Sequence, residues 1–179
     1  MGTLFAGVMN TGITCTSLVS QFILYVTIVT ACWALLYLDN SGDWRRRAIS
    51  EIQSMVSAHS GTLDTEPFHK QLASVPLSAW EDELPALDLI IRETIRLSIS
   101  FIFLRRNLKT DIDAEGVRIG KGDFLIYLAA DVHLNQNIYS SPETFDPARY
   151  EDGRKEGGSV DCGFVGWGAG KSFSPDLNP

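Results

Sequence analysis

Apolar and polar positions are distributed unevenly along this chain. No charged residue occurs before Asp39, and of the 21 residues from Leu18 to Leu38 only Ser20, Gln21, Thr27 and Thr30 fall outside the apolar set. A helix of that length spans about 30 Å, the thickness of a bilayer core. Taken alone, the window reads as a transmembrane helix running from about Thr16 to Leu38. The triplet Arg45-Arg46-Arg47 on its C-terminal side would then place the rest of the chain in the cytosol. The same residues also suit a helix buried on all sides within a larger protein. A secretory signal is the poorer reading, because no basic segment leads and no small-residue cleavage pattern follows.

Beyond the turn cluster Asp39-Asn40-Ser41-Gly42, the pattern becomes amphipathic. Trp44, Ala48, Ile49, Ile52, Met55 and Val56 recur at helical spacing and predict a helix from about Asp43 to His59. Ser78 and Glu81 have the form of a capping box, and Pro85 suits the first turn of a helix predicted over Pro85 to Ser98. Phe101 to Leu104 and Phe124 to Leu128 read as short strands. After Ala130, Pro142, Pro147 and five glycines between Gly157 and Gly168 predict a long loop region. No internal repeat or low-complexity segment is present.

Composition narrows the classes. An apolar fraction of 45% excludes a disordered or collagen-like chain, and three cysteines in 179 residues exclude a disulfide scaffold. A net charge of −7 argues against nucleic acid as a partner, since phosphate binding needs basic surface. The candidate chemistry lies in an ordered set of short motifs. Glu93 and Arg96 are three apart, on one helix face. Phe145-Asp146-Pro147-Ala148-Arg149-Tyr150 follows about fifty residues later, then Trp167-Gly168-Ala169-Gly170-Lys171. Gly170-Lys171-Ser172 also echoes the end of a P-loop, but the first glycine would fall at Val165, and Ser174-Pro175 cannot open a helix there.

In this order and spacing the motifs closely resemble the C-terminal part of a cytochrome P-450. The likeness includes Leu84-Pro85-Ala86-Leu87, Gly116 to Gly122, His133 to Pro142, and Ala6-Gly7-Val8-Met9-Asn10-Thr11. It implies a mainly α fold with small β sheets, incomplete in this chain. Residues 1–38 would form the central apolar helix, 43–98 further helices, 99–150 sheet and loop, and 151–179 a remnant of the haem loop. The implied activity is a haem-dependent monooxygenase with a lipophilic small-molecule substrate and a reductase partner, on the cytosolic face of the endoplasmic reticulum. Asn10 and Thr11 would sit at the oxygen-binding bend. Their Asn-Thr pairing is similar to the branch that holds sterol 7-alpha-hydroxylases and prostacyclin synthase, which implies a steroid-like substrate. Glu93, Arg96 and Arg149 would form a buried charge triad. Arg106, or Arg105 one residue earlier, would meet a haem propionate, and Trp167, Gly168, Gly170 and Lys171 would belong to the haem loop.

The sequence departs from that pattern in three places. Met9 and Asn10 stand where the family carries an acid and an alcohol. Thr11 to Trp33 spans 22 residues where the family needs about two turns, so an insertion near Cys15 to Thr30, such as a translated intron, is expected. Most consequentially, Ser174 stands at the place of the cysteine that ligates haem iron, with Asp176 at that of the following glycine, and no residues remain after Pro179 for the helix that packs on haem. A thiolate donates the electron density that favours O–O cleavage. A serine hydroxyl is protonated near neutral pH and cannot, so the implied chain is inactive, with no protein metal ligand. Cys162 reads as a small apolar filler. The alternative reading is a single-pass membrane protein with a small cytosolic domain and no haem chemistry.

Overall fold

A computed structural model describes residues 20–21, 24–61, 66–98, 102–158 and 160–166. Its elements run α1 (24–39), α2 (Gly42–Ser60), α3 (Phe68–Ser74), α4 (Leu77–Asp82), α5 (Pro85–Ser98), β1 (Ile102–Arg106), β2 (Ile112–Ala114), β3 (Val117–Ile119), β4 (Phe124–Leu128) and α6 (Ala129–His133), then a 3-10 turn at Pro147–Tyr150. The architecture is mainly helical with two small antiparallel sheets, the fold class expected from the sequence.

The amphipathic pattern of α2 is used as its spacing implies. Met55 and Val56 pack with Val75, Ala79 and Leu84, and Ile52, Leu72 and Leu87 close the edge of this core. Glu51, on the same helix, accepts from the backbone N–H groups of Ala86 at 2.8 and 3.0 Å and of Leu87 at 3.2 Å. A carboxylate from α2 thus satisfies the free donors at the start of α5, where the helix dipole also favours negative charge. The expected capping box is not formed. Pro76 occupies the N-cap of α4 without any side-chain bond, and Ser78 lies inside the helix. With Pro76 at the N-cap the helix starts two residues too early for Ser78 to serve as a cap.

The long strands pair in the register Ile102↔Leu128 to Arg106↔Phe124. Phe103 and Arg105 therefore share one face with Tyr127 and Leu125, while Leu104 and Arg106 share the other. The β2–β3 hairpin was not expected from the pattern. It is only three residues long on each side and turns at Glu115 and Gly116, both with positive φ, where Asp113 accepts from the Gly116 N–H at 3.0 Å.

The transmembrane reading is overturned. Among the described residues no helix is long and apolar enough to cross a membrane. In this region the described helical residues are 20–21 and 24–39, and the helix ends at the charged Asp39. Its C-terminal part is tied to protein: the Tyr37 ring stacks on Trp33 at 5.7 Å and on Phe145 at 4.7 Å. Membrane association, a site on the endoplasmic reticulum and the single-pass alternative lose the span on which they rested. Leu24, Tyr25, Ile28, Leu35 and Leu36 are exposed on this helix.

Candidate functional site: a buried charge cluster and the loop it holds

Helix α5 carries three consecutive kinds of residue on its buried face: apolar Ile90 and Ile95, the alcohol Thr94, and the charged pair Glu93 and Arg96. Burying a carboxylate is costly unless every lone pair is engaged. Glu93 meets that demand with five donors. Arg96 binds it in a fork, Nε to Oε2 and Nη2 to Oε1, both at 2.8 Å. Arg149 Nε donates to Oε1 at 2.9 Å, the Asp146 N–H donates to Oε1 at 3.1 Å, and Tyr150 OH donates to Oε2 at 3.1 Å. The side chains of Glu93, Arg96 and Arg149 are all fully buried.

The arginines reach beyond Glu93 into the chain after α6. Arg96 Nη1 donates to the His133 carbonyl at 2.5 Å, and Arg149 donates to the carbonyls of Ser140 and Thr144, both at 3.1 Å. Arg149 Nη1 also donates to Glu156 at 2.5 Å, and Glu156 accepts from Ser140 Oγ at 2.7 Å and from Arg154 Nη2 at 2.6 Å. Arg154 in turn pairs with Asp146 at 2.5 Å. Three acids and three arginines close the network with no net charge. Burial alone would raise the Glu156 carboxyl, but the bonds from Ser140, Arg154 and Arg149 outweigh it and hold the group down at about 2.

Tyr139 is the part of this site that sequence reasoning missed. Its ring is fully buried, with the Arg96 guanidinium 4.8 Å and the Arg149 guanidinium 5.7 Å from its centroid. Its hydroxyl donates to the Gly163 carbonyl at 2.8 Å, and burial pushes its pKa up to about 12. Glu156 and His133 were missed as well. Tyr139 and Glu156 lie in irregular chain and His133 ends the five-residue helix α6, so no spacing signal marks them.

The arrangement is a scaffold rather than reactive machinery. Every charge in it has an opposite partner, and Glu93, Arg96 and Arg149 at its centre are fully buried. What it does is bind helix α5 to the segment 133–166 through side chains that cannot be moved singly.

Arg105 and Arg106 point to opposite faces of the β1–β4 ribbon. Arg106 Nε donates to the Gly122 carbonyl at 3.1 Å, and its guanidinium lies 5.3 Å from the Phe124 ring centroid. Arg105 instead lines a cavity of about 210 Å³ with Phe103, Tyr127, Cys162 and Val165. Cys162 is exposed there, at φ 57°, and so is not the apolar filler its composition suggested. Asn10, Thr11, Trp167, Gly168, Gly170, Lys171 and Ser174 lie outside the described residues. Among the described residues no group of three or more His, Cys, Asp and Glu side chains could hold a metal ion.

Comparison with known proteins gives this geometry a family. The model of the family "Cytochrome P450" matches residues 26–173. The chain is 36% identical over 138 residues to cytochrome P450 monooxygenase nsrP of Aspergillus novofumigatus, covering 75% of this chain and 27% of that protein. It is 35% identical over 132 residues to cytochrome P450 monooxygenase AacuE of Aspergillus aculeatus, covering 72% of this chain and 26% of that one. Retinoic acid bound cyanobacterial CYP120A1 has the same fold over 79% of this chain and 29% of its own, with a TM-score of 0.60 at 22% identity. The chain thus spans about a quarter of the length of these relatives. The family match runs from helix α1 past the charge cluster and the loop it anchors, and on that extent the chain belongs to the cytochrome P450 family.

Proposed function

We propose that this chain is the C-terminal, haem-facing part of a monooxygenase fold for a lipophilic small molecule, served in full-length form by a reductase, and that it does not itself catalyse. The observation that carries the reading is the fully buried Glu93 carboxylate held by Arg96 and Arg149, which ties helix α5 to the segment leading into the glycine loop. The retinoic acid in the cyanobacterial structure supports a lipophilic substrate class. Of the two arginines that end β1, Arg105 is the better candidate to meet an anionic propionate, because it faces the cavity beside residues 162–165 while Arg106 is turned to Gly122. Asn10 and Thr11 at the oxygen-binding bend, and Trp167, Gly168, Gly170 and Lys171 in the loop, complete the proposal on sequence grounds, as does an insertion near residues 15–30.

The donor set does not fit a thiolate-ligated haem. Haem-thiolate chemistry needs one anionic sulfur donor at the end of the glycine loop, and Ser174 offers a neutral alcohol there. Cys162 lies twelve residues earlier, on the far side of the Gly163–Gly170 stretch. Loading the chain with haem and recording the reduced carbon monoxide complex tests this. The expected spectrum has no thiolate signature, and oxygen-dependent hydroxylation is absent. A thiolate signature in the unaltered chain would place a cysteine on the iron and overturn the proposal of inactivity.

A further inference from the structure

His133, the last residue of α6, is 1% exposed, and its imidazole takes no part in the charge cluster, which uses only its backbone carbonyl. Its imidazole stacks on Phe164, with ring centroids 5.3 Å apart. The Val165 N–H donates to His133 Nε2 at 3.1 Å, and Nδ1 is buried without a partner among the described residues. A backbone N–H can only donate, so Nε2 must carry a lone pair and the ring proton must sit on Nδ1. Protonating the ring would set two N–H groups against each other and break the hydrogen bond that ties Val165 to α6.

We propose that neutral His133, as the Nδ1–H tautomer, is a positioning residue that latches segment 160–166 to helix α6, and that acid opens the latch. The inference goes beyond the haem reading and stands whether or not haem binds, since it concerns only this chain's own loop. Among the described residues two hydrogen bonds hold the segment to the rest of the site: Tyr139 OH to the Gly163 carbonyl, and Val165 N–H to His133. Only the second can titrate in the mildly acid range, because the Tyr139 hydroxyl is held up at about 12.

The surroundings oppose protonation of the ring. From α5, Arg96 donates to the His133 backbone carbonyl and pairs with Glu93, and Arg92 lies 4.9 Å from the Phe164 ring centroid. From later chain, Tyr150 meets Phe164 edge-on at 6.3 Å. On its own element, Asp131 is two residues away. The other described histidines are elsewhere: His59 pairs with Glu83, and His69 lies on α3. Burial, then the charge of Arg96, push His133 down from 6.5 to about 4. A base whose folded pKa is depressed stabilises the closed form above the unfolded value and loses that contribution as pH falls. The window is therefore from about pH 6.5 down to about 4. Within it the equilibrium for opening rises by close to tenfold per pH unit.

Amide hydrogen exchange of Val165 and Gly163 in the full chain, corrected for intrinsic chemistry, reads this between pH 4.5 and 6.5, above the Glu156 window. Val165 protection is expected to fall about tenfold per unit of acidification. His133→Gln, whose amide oxygen can accept from Val165 but cannot titrate, is expected to keep protection with a flat profile. His133→Phe, which keeps the stack on Phe164, is expected to lose it at every pH. Nitrogen-15 shifts of the unaltered His133 ring decide the matter even if a variant fails to fold, with unprotonated Nε2 and protonated Nδ1 expected at pH 7. A proton on Nε2 at pH 7, a flat profile in the unaltered chain, or the same acid slope in His133→Gln would each overturn the proposal.

Discussion

Glu93→Ala is expected to abolish cooperative folding of the chain. The variant leaves the Arg96 and Arg149 guanidiniums buried against each other with no carboxylate between them, and removes the acceptor for the Asp146 N–H and the Tyr150 hydroxyl. Breaking one side of a buried ion pair costs about 3–5 kcal/mol, and this change strands two cations at once. Total stabilities of domains are about 5–15 kcal/mol, so the loss consumes much or all of the margin. Denaturant titration followed by circular dichroism is the check. A cooperative transition with the midpoint of the unaltered chain would show that Glu93 is not the hub of the fold.

Gly163→Ala should rank next. A Cβ at Gly163 would sit 2.3 Å from the Gly157 carbonyl oxygen and 3.0 Å from that of Val160, both backbone atoms that cannot swing aside. Moving Gly157 is no relief: its own Cβ position is already 2.4 Å from the buried Tyr139 hydroxyl, at φ 78°. The segment must shift bodily, which pulls Gly163 from Tyr139 and Val165 from His133. A cost of about 3 kcal/mol is expected, at the upper end for overpacking. Gly153→Ala is the matched control, because nothing lies within 4 Å of the added carbon, and it should change stability by less than about 0.5 kcal/mol. Urea midpoints at unchanged slope measure both. Equal midpoints for the two variants would contradict the packing described here.

Much of the helical frame was legible because long periodic segments carry their own boundaries. Pro85 to Ser98 is the helix its spacing predicts, and Asp43 to His59 differs from α2 by one residue at each end. Phe124 to Leu128 is a strand as read, whereas the strand expected from Phe101 to Leu104 is Ile102–Arg106, because pairing with β4 rather than apolar character sets its length. The β2–β3 hairpin escaped notice since three residues are too few to show alternation. The membrane reading failed for a deeper reason. Hydropathy records that residues avoid water, not whether lipid or protein covers them, and the stack of Trp33, Tyr37 and Phe145 is visible only in three dimensions.

The site divides in the same way. Glu93, Arg96 and Arg149 were identified as a set only because their motifs resemble a family in order and spacing. An isolated pair at three-residue spacing is ordinary helix surface. Nothing in the sequence announces that Tyr139 lies between two guanidiniums, that Glu156 balances Arg149, or that His133 receives the Val165 N–H. Each involves irregular chain with no helical or strand period, Glu156 meeting Arg149 at a separation of 7 residues and Val165 meeting His133 at 32. The choice between Arg105 and Arg106 likewise waits on the β1–β4 register, since one residue of slip exchanges the two faces of a strand.

The central claim is that one buried carboxylate, held by two arginines, organises this part of the cytochrome P450 fold. Scalar couplings across the hydrogen bonds, from Arg96 Nε and Arg149 Nε to carboxylate carbons, test it most directly in solution. Both Nε–H resonances should be sharp, slow to exchange, and correlated with the same carbon, that of Glu93, as distances of 2.8 and 2.9 Å require. Either Nε–H exchanging as fast as in free arginine, or correlating with a different carboxylate, would contradict the account.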